Sequence, residues 1–130
     1  MRTIVLVIAA FALAACSKSG SESATPRDKV LEAWKGDKLA PSAMTAAQVA
    51  VGKDCQSGSV EGIDLLLCNF ASPTEAKAAE DAGLAWIGPA TGASQARGAA
   101  LVVLADRKKS DPNGRTINRL LKLAPNEAVR

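Results

Sequence analysis

Residues 55–70 read CQSGSVEGIDLLLCNF, and the fold turns on them. Their centre holds Glu61-Gly62, the best two-residue turn in the stretch, with Gly supplying the left-handed backbone that tight hairpins need. In a two-residue hairpin, the numbers of opposed residues have a constant sum. A turn at 61 and 62 sets that sum at 123, and 55 with 68 matches it, so Cys55 falls opposite Cys68. Hydrogen-bonded and open pairs alternate from the closing pair Val60/Ile63. Cys55/Cys68 is therefore an open pair with Cα atoms about 4.5 Å apart, at the short end of the disulfide range. Spacing alone leaves three readings: a bridge, two reduced buried thiols, or a metal or redox pair. Cys-x12-Cys matches neither a zinc nor a thioredoxin spacing. The second arm, Ile63 to Phe70, is apolar on both faces apart from Asp64 and Asn69, the pattern of a strand buried inside a sheet.

Working outward toward the C-terminus, Ser72-Pro73-Thr74-Glu75 is a capping box with Pro at the first helical position. It predicts a helix to about Trp86, with Ala76, Ala79, Gly83 and Trp86/Ile87 as a small-residue stripe that lets the helix lie close on a sheet. Gly88-Pro89 stops it. Thr91 to Gly98 reads as a loop. Ala99 to Ala105, AALVVLA, reads as a second strand buried on both faces. The strand–helix–strand unit from Ile63 to Ala105 predicts a crossover that makes its two strands parallel. Asp111-Pro112 reads as a helix entry, with Ile117, Leu120, Leu121 and Ala124 at helical spacing and Pro125 as the stop. The competing reading is a hairpin turn at Asp111–Gly114, which the poor alternation afterwards disfavours.

Toward the N-terminus, Thr25-Pro26-Arg27-Asp28 opens a helix with Val30, Leu31 and Trp34 on one face and Gly36 as its end. Pro41 interrupts the stretch from Leu39 to Lys53. Within it, Met44 to Val51 is Ala-rich and ambiguous; the partial alternation of Gln48 to Val51 favours a strand entering the hairpin. The expected fold is a small α+β domain: a disulfide-stapled β-hairpin, one further strand parallel to it by a helical crossover, and packing helices. Two strands without a polar face need cover on both sides, from the N-terminal helix or from a partner.

The composition removes several chemistries. The chain of 130 residues has no His and no Tyr, which excludes His-dependent triads, His-zinc sites and His-ligated haem. Aromatic residues are 3%, so the core must be aliphatic. A formal net charge of +3 without stacking aromatics does not argue for nucleic-acid binding. Gly52-Lys53-Asp54 lacks the rest of a phosphate-binding loop and has Asp where Ser or Thr must hold magnesium. Asp106, Asp111 and Asn113 fit no calcium-loop spacing, and helix capping accounts for Asp111. Trp34 and Trp86 sit on apolar helical stripes and read as core rather than as ligand-stacking groups. Gly88 to Gly92 reads as a plain loop, not an anion-binding one. No cofactor, no metal and no catalytic residue is expected.

The first residues are a processing signal. Met1-Arg2 is a short positive end, and Thr3 to Ala15, TIVLVIAAFALAA, is too short to span a bilayer and reads as a signal-peptide core. Leu13-Ala14-Ala15-Cys16 then resembles the lipobox of bacterial lipoproteins. The resemblance implies that the Cys16 thiol receives a diacylglyceryl group, that the chain is cut before Cys16, and that the new amine is acylated. Two or three acyl chains give stable membrane residence, at about 0.8 kcal/mol per buried CH₂. In that family Asp after the Cys favours inner-membrane retention. Here the position is Ser17, which implies the periplasmic face of the outer membrane. The implied organisation is a signal peptide over 1–15, a lipidated Cys and flexible linker over 16–25, an α+β domain over 26–125 and a tail over 126–130. Ser17 to Thr25 as a coil spans roughly 17 Å, and at most about 30 Å when stretched. With Cys16 lipidated, Cys55 and Cys68 remain as a pair in a compartment where disulfides persist, and the bridge becomes the preferred reading.

One charge feature stands out. From Arg107 to Arg130 seven basic side chains face two acidic ones. Arg107, Lys108, Lys109, Arg115, Arg119 and Lys122 are candidate contacts to an anionic surface, each worth on the order of 1 kcal/mol near anionic lipid; the plainer reading is a solvated helix face. The sequence thus points to a membrane-anchored, non-enzymatic envelope lipoprotein that binds another envelope component. The alternative is a periplasmic accessory or inhibitor domain acting through an exposed sheet edge. The expected partners are the membrane, an envelope protein or anionic lipid, and not nucleic acid.

Overall fold

The computed structural model describes residues 24–126; the lipobox and Cys16 lie outside the described residues. The elements in chain order are α1 (Pro26–Gly36), β1 (Thr45–Val49), β2 (Gly52–Val60), β3 (Ile63–Asn69), α2 (Pro73–Ala78), α3 (Glu80–Ile87), β4 (Thr91–Arg97), β5 (Ala100–Asp106) and α4 (Arg115–Leu123). The five strands form one sheet in the order β1-β2-β3-β5-β4, with every neighbouring pair antiparallel.

The hairpin has the register the turn dictates. Val60 pairs with Ile63 and Cys55 with Cys68. Glu61 and Gly62 both have positive φ, 54° and 83°, the signature of the turn whose twist matches that of its strands. Cys55 and Cys68 are disulfide-bonded with Cα atoms 4.0 Å apart, and both are buried. β1 adds to the free side of β2 and starts at Thr45, earlier than its alternation suggests, with an irregularity between Ala47 and Val49.

The expected parallel crossover is corrected. β3 and β5 are antiparallel neighbours, because residues 91–97 are a strand and not a loop. β4 and β5 form a second hairpin, with Arg97 opposite Ala100. The helical crossover from β3 therefore delivers β4, which runs parallel to β3, and β5 fills the place between them. The reason β4 escapes recognition is steric. It is an edge strand on which a helix lies very close, so its covered positions must be small. A Cβ on Gly83 of α3 would collide with Ser94 Oγ, and one on Gly92 would collide with the Leu104 carbonyl oxygen of the neighbouring strand β5. TGASQAR thus carries none of the bulky apolar residues by which strands are recognised.

Helices cover both faces. Ile63, Leu65 and Leu67 of β3 and Ala100, Val102 and Leu104 of β5 pack against Val30 and Trp34 of α1 and Ile117, Leu120 and Leu121 of α4. The intervening residues Leu66, Cys68, Leu101, Val103 and Ala105 form the opposite core with Cys55 and Ile87. The single helix expected after Ser72 is divided at Ala79 into α2 and α3. The Ser72 hydroxyl accepts the Glu75 amide as the cap.

Polar contacts set the angles of these layers. Trp34 Nε1–H donates to the Leu120 carbonyl at 2.9 Å. Arg97 donates to the Leu121 carbonyl at 3.2 and 3.4 Å. Both donors therefore serve carbonyls in the last turn of α4, where the helix dipole favours them. Arg27 ties the start of α1 to the sheet. Its amide donates to Asn69 Oδ1 at 2.8 Å, and its guanidinium donates to Asp54 Oδ1 and to the Asp54 carbonyl, both at 3.0 Å. The side-chain amide of Asn69 also donates to Asp54. That bond first, and the Arg27 contact second, hold the Asp54 carboxyl below its ordinary pKa.

The bridge closes a loop whose loss should be measurable. Replacing both Cys55 and Cys68 by Ala should lower unfolding stability by roughly 2–5 kcal/mol in urea titrations. Unchanged stability in the double variant would show that the hairpin does not need the bond.

Candidate functional site

At the end of the sheet where β5 stops, two carboxylates organise the chain. Asp106, buried, accepts the Ser110 amide and hydroxyl at 2.8 and 3.2 Å on Oδ1 and the Asp111 amide at 2.9 Å on Oδ2. Asp111, also buried, accepts the amides of Thr116 and Ile117 at 3.0 and 2.9 Å. These amides belong to the first turn of α4, whose N-cap residue Gly114 (φ 72°) has no side chain to offer. Asp111 is therefore the cap, as expected, but it reaches in from three residues upstream: the helix begins at Arg115 and not at Pro112, and the Gly114 amide closes a turn by donating to the Asp111 carbonyl at 3.0 Å. Burial pushes the Asp106 carboxyl up. The amides of Asp111 and Ser110, the Ser110 hydroxyl and the Lys109 amide together outweigh it and hold the group below its ordinary value.

Beside this relay lies an open groove of about 590 Å³. Ile87, Pro89, Ala90 and Thr91, at the passage from α3 to β4, form one wall. Arg107, Lys109 and Pro112, on the loop after β5, form the other. Arg107 is committed: Nη1 contacts Asp64 Oδ2 at 3.0 Å, Nη2 donates to the Trp86 carbonyl at 2.7 Å, and the guanidinium sits 4.3 Å from the centre of the Trp86 ring. Lys109 has positive φ, 56°, a conformation in which few non-Gly residues rest.

The six candidate basic residues do not form one face. Arg107, Lys108, Lys109 and Arg115 lie where β5 ends and α4 begins. Lys122 lies toward the other end of α4, next to the Leu121 carbonyl that Arg97 holds. Arg119 is paired with Asp37 at 2.6 Å. Lys108, Lys109, Arg115 and Lys122 are exposed and have no ion pair among the described residues. The start of α1 is bonded to Asn69, and Asn69 pairs with Ala100 at the first residue of β5. The start of α1 thus lies at one end of β5 and the groove opens at the other, about 20 Å away at the usual strand rise.

The remaining candidates have structural roles. Trp34 is buried in the core. Trp86 is half-buried beneath Arg107. Gly52-Lys53-Asp54 starts β2, with Asp54 held by Arg27. Among the described residues no group of three Cys, Asp or Glu side chains is placed to hold a metal ion, and no helix is long and apolar enough to cross a membrane. Sequence reasoning missed the groove. Its two sides are visible as a Gly-Pro helix stop and an Asp-Pro helix entry, but their meeting depends on β4 and β5 being a hairpin. Comparison with protein families, curated proteins and solved structures finds no match for this chain.

The relay carries a pH dependence. The folded Asp106 carboxyl lies below its unfolded value, so its contribution is complete above that value, near 3.8, and is lost as pH falls through the folded pKa. Melting temperature should fall on acidification below about pH 4. Asp106→Asn should melt lower at neutral pH and show a flatter acid limb. Parallel acid limbs in thermal melts of the two proteins would remove Asp106 from the account.

Proposed function

We propose that this protein is a lipid-anchored lipoprotein of the bacterial envelope, held at the periplasmic face of the outer membrane. Its role is to bind another envelope component rather than to catalyse a reaction. Leu13-Ala14-Ala15-Cys16 after the apolar run carries the reading. Two features support it. The disulfide consumes Cys55 and Cys68, which leaves Cys16 as the cysteine available for lipid and suits an oxidising compartment. The first helix begins at Pro26, so the stretch after Cys16 is long enough to serve as a tether. Mass spectrometry of protein extracted from membranes should find a mature chain that begins at Cys16 with acyl and diacylglyceryl masses. Cys16→Ser should block both lipidation and cleavage. A mature chain beginning elsewhere, or an unmodified Cys16, overturns the reading.

A second reading, an accessory or inhibitor domain that pairs through a sheet edge, has one observation in its favour. The two edges differ. On β4 the Ala96 amide is already capped by Glu80 Oε2 at 2.8 Å. On β1, Thr45, Ala46 and Gln48 are exposed. Gln56 opposite Ala46 bonds inward to β3, so the backbone groups of Ala46 point to the open side. Ala46→Pro removes that outward donor without touching the β1–β2 ladder. It should abolish strand-mediated partner binding while leaving the fold intact, and undiminished binding rules this reading out.

A further inference from the structure

The segment Asp111-Pro112-Asn113-Gly114, which ends at the N-cap of α4, carries a chemistry that neither the anchor nor the groove uses. The chain's other asparagines, Asn69, Asn118 and Asn126, precede Phe70, Arg119 and Glu127; Asn113 is the one followed by Gly. That order matters because glycine has no Cβ to keep its backbone nitrogen from the carboxamide carbon of the residue before it. The surroundings leave room for such an approach. Asn113 is exposed, and its carboxamide has no hydrogen-bond partner among the described residues. A Cβ placed on Gly114 would meet nothing closer than Asn118 Nδ2, at 4.0 Å.

From this placement we propose that Asn113 is a site of spontaneous covalent modification, and that the turn around it holds the reaction back until the start of α4 opens. The Gly114 amide gives its proton to water or hydroxide, and its nitrogen attacks Asn113 Cγ. The N–Cγ bond forms, the Cγ–Nδ2 bond breaks and ammonia leaves, which closes a succinimide ring. Water then opens the ring. Attack at the side-chain carbonyl yields aspartate, and attack at the backbone carbonyl yields isoaspartate, whose main chain is longer by a methylene. In the folded chain the attacking group is occupied. The Gly114 amide donates to the Asp111 carbonyl at 3.0 Å and closes a turn with Pro112 and Asn113 at its centre. Both ends of that turn are fixed. The Asp111 amide donates to Asp106, the Asp111 carboxylate accepts the Thr116 and Ile117 amides, and the Gly114 carbonyl accepts the Asn118 amide at 3.0 Å. The nitrogen cannot keep its hydrogen bond and lose its proton together. The reactive population is therefore the one in which the turn has opened, and such local opening costs less than global unfolding. The product acts back on the helix. Isoaspartate lengthens the span that seats Asp111 beneath the first turn of α4, whereas aspartate leaves that span unchanged.

The test incubates the full chain at neutral pH, folded and in guanidinium chloride, and follows Asn113 by peptide mapping with mass spectrometry. In denaturant Asn113 should convert to aspartate and isoaspartate well ahead of Asn69, Asn118 and Asn126. In the folded chain its conversion should be slower by about tenfold or more, each tenfold corresponding to roughly 1.4 kcal/mol of opening free energy. Asp111→Ala, which removes the α4 cap, should speed the folded reaction and leave the denatured one unchanged. The ratio of the two wild-type rates decides the matter even where Asp111→Ala does not fold. The isolated isoaspartate form should exchange its Thr116 and Ile117 amide hydrogens faster than Asn113→Asp, which carries the charge without the longer main chain. The proposal is overturned if Asn113 stays intact in the denatured chain, if folded and denatured rates are equal, if a folded Asp111→Ala reacts no faster, or if the isoaspartate form and Asn113→Asp exchange alike. None of these readouts involves Cys16 or a partner, so the outcome is independent of the lipoprotein reading.

Discussion

Two strands without a polar face, β3 and β5, lie side by side, and burying both sides of that pair is the constraint that everything else serves. A sheet covered on one face tolerates alternation; a strand such as ALVVLA does not. Two helices are therefore needed on each side. α1 and α4 supply one layer, and α2 and α3 the other. The apolar load is aliphatic throughout the strands, as the scarcity of aromatic residues requires, and Trp34 joins the two helices of one layer through its indole N–H.

The parts legible in the sequence are those fixed by local chemistry. The turn at Glu61-Gly62 and the pairing of Cys55 with Cys68 follow from hairpin counting. The starts of α1 and α2 follow from Thr25-Pro26 and Ser72-Pro73, and the ends of α1 and α4 from Gly36 and Pro125. Each of these signals acts over a few residues. β4 was not legible because its composition answers to the helix lying on it and not to its own backbone state. Without β4, the crossover rule was applied to the wrong pair of strands: it holds for β3 and β4, which are parallel, while β5 lies between them.

The site was less legible than the fold for the same reason. The basic residues from Arg107 onward are close in sequence, but the chain places three on the loop after β5 and three along α4, and commits two of them, Arg107 and Arg119, to Asp64 and Asp37. Such exposed pairs contribute little stability by themselves. Their effect is on which charges remain available, and it separates Lys108, Lys109, Arg115 and Lys122 from Arg107 and Arg119. The capping role of Asp111 was readable from Asp-Pro. The role of Asp106 was not, because it depends on a loop, exposed over residues 107–110, that curls back onto the end of β5.

The strand order has a consequence for the way the chain is made. β3 follows β2 at once, but its other edge must wait for β5, about thirty residues further along the chain. A polypeptide that emerges from its N-terminus holds an unpaired, largely apolar strand edge until most of it has arrived. β4 cannot relieve this, because its own place is beyond the strand still missing. Such an interval of exposed edge is the setting for non-native strand pairing. The disulfide hairpin can close early, since both cysteines lie before the crossover. The last strand to be made, β5, is thus inserted between two strands that precede it in the chain.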